Sequence, residues 1–194
     1  FVTNESNQQE NLYLNNGDGT FTKKTSDPLV LNGGKTMSAS WGDVDNDGDF
    51  DVFLANDGAN NALFYNDGEG NFTKATTDIV SNDGGNSFGS NFADIDNDGD
   101  TDLFVGGLAD AQKYGIAQPS YLLLNDGKGM FTLATSQVIK LENLGMVTSA
   151  TFIDINRDGW QDLAVTGEWM PVKIFINQKG TFKSTNLPQS TGLW

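Results

Sequence analysis

Short apolar runs punctuated by Gly, Asn and Asp set the rhythm of this chain. The pairs "SASWGD" and "FDVFLAN", "SNFAD" and "TDLFVGG", and "ATFID" and "QDLAVTG" read as strands on either side of three acidic stretches. Between the pairs a second unit recurs, an aliphatic or aromatic strand followed by asparagine, a glycine turn and phenylalanine: "LYLNNGDGTF", "LFYNDGEGNF", "LLLNDGKGMF" and "IFINQKGTF". Glycine accepts positive φ at little steric cost, so each of these units is predicted to be a tight hairpin. Together the two patterns predict four short strands per repeat.

The repeat has a measurable period. The acidic stretches begin at Asp43, Asp94 and Asp154, and the phenylalanines fall at Phe21, Phe72, Phe131 and Phe182, so both series advance by about 50 to 60 residues. The long step is an insertion within "GGLADAQKYGIAQPS", because Asp51 to Asn66 and Asp162 to Asn177 span 15 residues whereas Asp102 to Asn125 spans 23. Four-stranded units at this period are the blades of a β-propeller, and solenoid repeats are usually shorter. The expected fold is therefore all-β, a β-propeller of four-stranded antiparallel blades. It opens with a half blade at about 11–25, continues with blades at about 37–77, 87–136 and 147–185, and reaches the start of a next blade at 190–194. The small residues of "SASWG" and "FGSNFA" suit crowding near a propeller axis, and Trp41 is expected to pack within its blade.

Composition sharpens this picture. The chain has 194 residues, 37% of them hydrophobic, enough to bury a core, and its 23 glycines favour turns over long helices. A net charge of −15 with only 11 Lys and Arg argues against nucleic acid and anionic membrane surfaces as partners. No stretch approaches the about 20 apolar residues of a membrane span. With no cysteine there is no disulfide framework and no thiolate metal site.

The acidity is concentrated. "DVDNDGDFD" (43–51), "DIDNDGDTD" (94–102) and "DINRDGWQD" (154–162) hold 13 of the 26 acids. Neighbouring carboxylates repel by about 1 kcal/mol per pair even in water, so something must offset the crowding. Counted from the first aspartate, each loop places side-chain oxygens at positions 1, 3, 5 and 9 with glycine at 6. That spacing can wrap a calcium ion, which takes six to eight hard oxygen ligands. The expected ligands are Asp43, Asp45, Asp47 and Asp51 with the carbonyl of Asp49; Asp94, Asp96, Asp98 and Asp102 with the carbonyl of Asp100; and Asp154, Asn156, Asp158 and Asp162 with the carbonyl of Trp160. About three Ca2+ ions are expected, one per loop. Magnesium fits less well, since it demands a tighter octahedron. An EF-hand is excluded because position 12 is Leu54, Val105 and Val165, in apolar strands, where that motif needs a glutamate on a helix.

These loops resemble the DxDxDGxxD calcium motif of FG-GAP/VCBS repeats, the units of the integrin α-subunit propeller, and the NxGxGxF hairpins resemble bacterial secreted members of that group. The likeness spans nearly the whole chain. It implies an extracellular or cell-surface, usually seven-bladed propeller in which calcium rigidifies the turn between a blade's first two strands. The third loop departs from the motif at Asn156 and Arg157, with one carboxylate fewer, and is expected to bind most weakly. Three and a half blades do not close a seven-bladed ring. The chain starts at Phe1 and is expected to be a piece of a longer product that supplies the remaining blades, in preference to another copy completing the ring.

The expected function is a non-catalytic, calcium-stabilised scaffold for adhesion or binding of a protein or glycan. Its ligand would meet the loops opposite the calcium side. There the insertion from Gly107 to Pro119 offers Lys113, Tyr114 and Gln118, and Trp169 in "TGEWMP" occupies the equivalent connection of the next blade. Two alternatives stay open: a propeller lectin, and the scaffold part of a secreted polysaccharide-active enzyme. For the latter, the absence of His and Cys removes Ser/His and Cys/His nucleophile schemes from these residues, and the patterned carboxylates are already assigned to metal.

Overall fold

A computed structural model describes residues 1–6, 8–76, 79, 85–110, 113–142 and 144–185. Strands β1 (Leu12–Asn15) and β2 (Phe21–Lys24) form a hairpin, followed by one helical turn, α1 (Pro28–Leu31). Three four-stranded antiparallel sheets come next. The first holds β3 (Thr36–Gly42), β4 (Asp51–Asn56), β5 (Ala62–Asn66) and β6 (Phe72–Lys74). The second holds β7 (Ser87–Ala93) and β8 (Asp102–Gly107), then, beyond the small hairpin β9 (Ala109–Asp110) and β10 (Lys113–Ala117), β11 (Tyr121–Leu124) and β12 (Thr132–Leu133). The third holds β13 (Met146–Ile153), β14 (Asp162–Glu168), β15 (Lys173–Asn177) and β16 (Phe182–Thr185).

The all-β expectation holds, and among the described residues α1 departs from it. That turn is set by Asp27, whose Oδ1 accepts the Leu29 N–H at 2.9 Å, and by Pro28 at the first helical position. It buries Leu29 and Val30. The stretch at 190–194, expected to approach another inner strand, lies outside the described residues.

The sheets stand side by side, with β3 packed on β7 and β7 on β13. Their cores lie between sheets, which explains the continuous apolar runs of β4 and β8. In β4, Phe53 and Ala55 point into a core shared with Leu103, Val105 and Leu123 of the second sheet, whereas Val52 and Leu54 join Leu12, Leu29 and Phe64. A third core joins Phe104 and Leu122 to Val147, Leu163 and Phe175. Strands β4 and β8 are wholly buried, while β14 is covered on the second-sheet side and leaves Thr166 and Glu168 exposed.

Small residues sit where first strands approach each other. Ser40 donates to the Ser90 carbonyl at 2.8 Å, and a Cβ on Gly89 would lie 3.4 Å from Ser149 Cα. Each first strand also shifts register at the same repeat position, between Thr36 and Ser38, Ser87 and Gly89, and Val147 and Ser149. The extra residue is a β-bulge, which strengthens the twist of the innermost strand. Trp41 packs edge-on against Phe1 and Phe72 and remains partly exposed.

Candidate functional site

Each acidic loop joins the first and second strands of a sheet. Its sixth residue, Gly48, Gly99 or Gly159, has φ of 94°, 97° or 88°. The fourth residue is also left-handed: Asn46 and Asn97 at φ 59° and Arg157 at 63°. Asparagine tolerates that region by local hydrogen bonding; arginine has no such means. The turn brings the first aspartate over the loop's own amides. Asp43 accepts Asp47 N–H at 3.2 Å and Gly48 N–H at 3.0 Å; Asp94 accepts Gly99 N–H at 3.1 Å; Asp154 accepts Asp158 N–H at 3.1 Å and Gly159 N–H at 2.9 Å. Within the loop Asp47, Asp98 and Asp158 each accept the N–H two residues on at 2.9 Å, from Asp49, Asp100 and Trp160.

The ninth residue has a second role that the spacing alone did not reveal. Asp51 accepts Val44 N–H at 2.9 Å through one oxygen and Asn66 N–H at 2.8 Å through the other. Asp102 does the same with Ile95 and Asn125, and Asp162 with Ile155 and Asn177. All three carboxylates are buried. Each one ties the loop to the third strand of its sheet.

The carboxylates of Asp43, Asp45 and Asp51 offer oxygens that all lie within 4.8 Å of one another, and so do those of Asp94, Asp96 and Asp102. Burial is the main cause that pushes Asp51 up to about 6 and Asp102 up to about 7. Asp45 and Asp96 are also raised, by burial first and then by the charges of Asp47 and Asp98. Buried oxygens without a hydrogen-bond partner include Asp45 Oδ1, Asp94 Oδ1 and Asp96 Oδ1. Converging, partly desolvated carboxylates with unpartnered oxygens are the donor set a hard divalent cation requires, so the residues present in the first two loops fit calcium. In the third loop the position-3 oxygen donor is an amide, Asn156, whose Nδ2 donates to Asp158 Oδ2 at 2.8 Å.

The other expected ligands sit at the rim. Asp49 packs over Gly68 and Asp100 over Gly127, so the acidic loops and the glycine hairpins share one end of the sheets. Asp100 Oδ1 also accepts Asn46 Nδ2 at 2.7 Å, linking the loops of the first two sheets. Trp160 is half-buried in the third loop.

Away from the acidic loops, the insertion forms the β9–β10 hairpin. Lys113 is exposed, and its N–H meets Asp110 Oδ1 at 3.1 Å. Tyr114 lies on β10, its side chain outside the described residues. Gln118 lines a cleft of about 810 Å3 with Ile116, Tyr121, Leu133 and Ile139. Trp169 is 79% exposed at φ 55°, and its ring lies over Gly115 of β10, where a Cβ would come within 3.1 Å of Cζ3. The structure therefore joins two loop candidates that the sequence kept apart.

The family model of the FG-GAP-like repeat matches the chain over residues 1–54 and 43–105. No curated protein matches it.

Proposed function

The chain belongs to the FG-GAP-like repeat family, and from that premise we propose that it is a calcium-stabilised, non-catalytic β-propeller scaffold, extracellular or on the cell surface, that binds a protein or a glycan. The observation that carries the calcium reading is the convergence of Asp43, Asp45 and Asp51, and of Asp94, Asp96 and Asp102, around oxygens that no protein donor satisfies. A bound calcium ion would supply positive charge to a crowded turn, and the residues do the rest. Asp51 and Asp102 hold the loop against the third strand, and Gly48 and Gly99 close it.

Further blades, from a longer product or from another copy, fit the uneven burial of the third sheet. There Ile153 and Ile155 are exposed, although the matching positions of the other sheets face a neighbour. An extracellular setting agrees with calcium sites built on turns, which are filled at millimolar calcium. Among the described residues no helix is long and apolar enough to cross a membrane.

The test is thermal unfolding with calcium and with excess chelator. Occupancy at a hundred times Kd adds about 2.7 kcal/mol per site, so chelation lowers Tm by several degrees. Identical melting curves in the two conditions would remove the calcium reading.

A lectin is the second reading, favoured by Trp169, an exposed aromatic held in a left-handed backbone over Gly115. Strain of this kind collects at ligand sites. Glycan-array binding that disappears in Trp169→Ala would support it, and binding indifferent to that change would favour a protein ligand.

A further inference from the structure

The three acidic loops share a spacing but differ at one contact. In the first loop the third and fifth residues, Asp45 and Asp47, are both carboxylates, and Asp45 Oδ1 is buried without a partner; Asp96 and Asp98 repeat this in the second. Two such groups repel unless they share a proton or a cation. In the third loop the corresponding contact is Asn156 Nδ2 donating to Asp158 Oδ2 at 2.8 Å, an attraction. The orientation of that amide is fixed from its other side. Asn156 Oδ1 accepts the Asp158 N–H at 3.0 Å, so turning the amide over would set one N–H against another.

Asn156 thus has the shape of the aspartates at its repeat positions with one acceptor replaced by a donor. The atom corresponding to the unpartnered Oδ1 of Asp45 and Asp96 is engaged within the loop. Asp154 and Asp162 accept the same backbone N–H groups as Asp43 and Asp51 do in the first loop, so the difference between the loops lies at Asn156. For an ion to enter, the amide would have to rotate and surrender both of its hydrogen bonds.

We propose that the third loop is closed by the Asn156 amide in place of a cation, so that these repeats take up two calcium ions and the 154–162 turn keeps its shape without any. This deepens the calcium reading of the first two loops and rests on it for the count, while the self-closure stands apart from it. What sets this loop apart is the orientation of the side chain at position 3: Asp45 and Asp96 leave an oxygen open, whereas Asn156 turns its N–H onto Asp158.

The experiment pairs calorimetric calcium titration with hydrogen exchange of the same chain in chelator. The parent protein is expected to bind two ions, Asn156→Asp three, and Asp45→Asn one. In chelator the amides of 43–51 and 94–102 are expected to exchange faster than in calcium, whereas those of Asp158, Gly159 and Trp160 are unchanged. Three ions in the parent protein, or two in a folded Asn156→Asp, would overturn the proposal. So would loss of protection at Asp158 to Trp160 on chelation, a result that needs no variant to fold. Binding of no ion at all would instead overturn the calcium reading of the first two loops, with the exchange of the third loop still deciding its self-closure.

Discussion

Asn125 donates through Nδ2 to the carbonyl of Val44 at 2.8 Å, across 81 residues of sequence, and to Thr101 O at 3.1 Å. The first carbonyl belongs to the acidic loop of the preceding sheet and the second to its own. Asn177 repeats the arrangement with Ile95 O at 2.7 Å and Gln161 O at 3.0 Å. In the second and third sheets the asparagine that opens the glycine hairpin is thus a staple between neighbouring acidic loops, whereas its counterpart Asn66 donates to Phe50 O of its own loop at 3.2 Å.

Removing the staple leaves two carbonyls without their donor. Asn125→Ala and Asn177→Ala are each expected to lose about 1 to 3 kcal/mol, the cost of orphaned buried polar groups. Midpoints of urea unfolding at saturating calcium check this. A loss within experimental scatter for both variants would mean that water replaces the amide freely and that the staple has no energetic weight.

Variants at the third and ninth positions of a loop are expected to separate metal binding from structural support. Both oxygens of Asp51 accept backbone N–H groups, so Asp51→Asn sets an amide N–H against one of them. That variant is expected to be less stable by about 1 to 3 kcal/mol even in chelator. Asp45→Asn removes charge from a crowded cluster and should be at least as stable as the parent protein in chelator while gaining less from added calcium. Unfolding of both variants with and without calcium distinguishes them. Equal losses in chelator would show that the two aspartates do the same work.

Much of this was legible in the residues because the repeat fixes both strands and turns. The glycines of "DVDNDGDFD" and "LFYNDGEGNF" mark positions that need positive φ, and the structure puts Gly48, Gly68 and Gly70 there. Less legible were features that exist only once sheets stand together. Asp51 looks like any other member of its acidic loop until the third strand is docked beside it. The register shift near Met37 carries no glycine to announce it, and α1 is too short for periodicity to show. Its cue is local, in Asp27 followed by Pro28. The joining of Trp169 to the inserted hairpin brings Trp169 onto Gly115, in two connections distant in sequence but adjacent in space, which no pattern along one strand reports.

At Gly106 the second sheet meets the third with no room for a side chain. A Cβ there would lie 2.5 Å from Val147 Cγ1 and 2.9 Å from its Cβ. Gly106→Ala is therefore expected to cost about 1 to 3 kcal/mol by overpacking. Val147→Ala opens space in the same place, so the double variant should be more stable than the sum of the two single losses. A double-mutant cycle from denaturant midpoints measures that coupling. Strict additivity would show that the strands move apart to admit the methyl group.

Glu10 is buried, its Oε1 accepts Thr36 Oγ1 at 2.7 Å, and Oε2 lies buried without a hydrogen-bond partner of normal geometry. Desolvation, outweighing the hydrogen bonds from Thr36 and from the Asn4 backbone, raises it above its ordinary value of 4.5. The folded protein thus holds this proton more tightly than the unfolded chain does. Its contribution to stability is fully present below about 4.5 and is lost as pH rises from there through the folded value. Glu10→Gln keeps an acceptor for Thr36 and removes the charge, so it is expected to melt higher than the parent protein near pH 7 to 8, with the gain shrinking toward pH 4. Melting curves of the two proteins across that range, at saturating calcium, cancel the titration of the acidic loops and isolate this group. A variant less stable by a constant amount at every pH would show that the carboxylate is held ionised by a partner and that its burial is compensated.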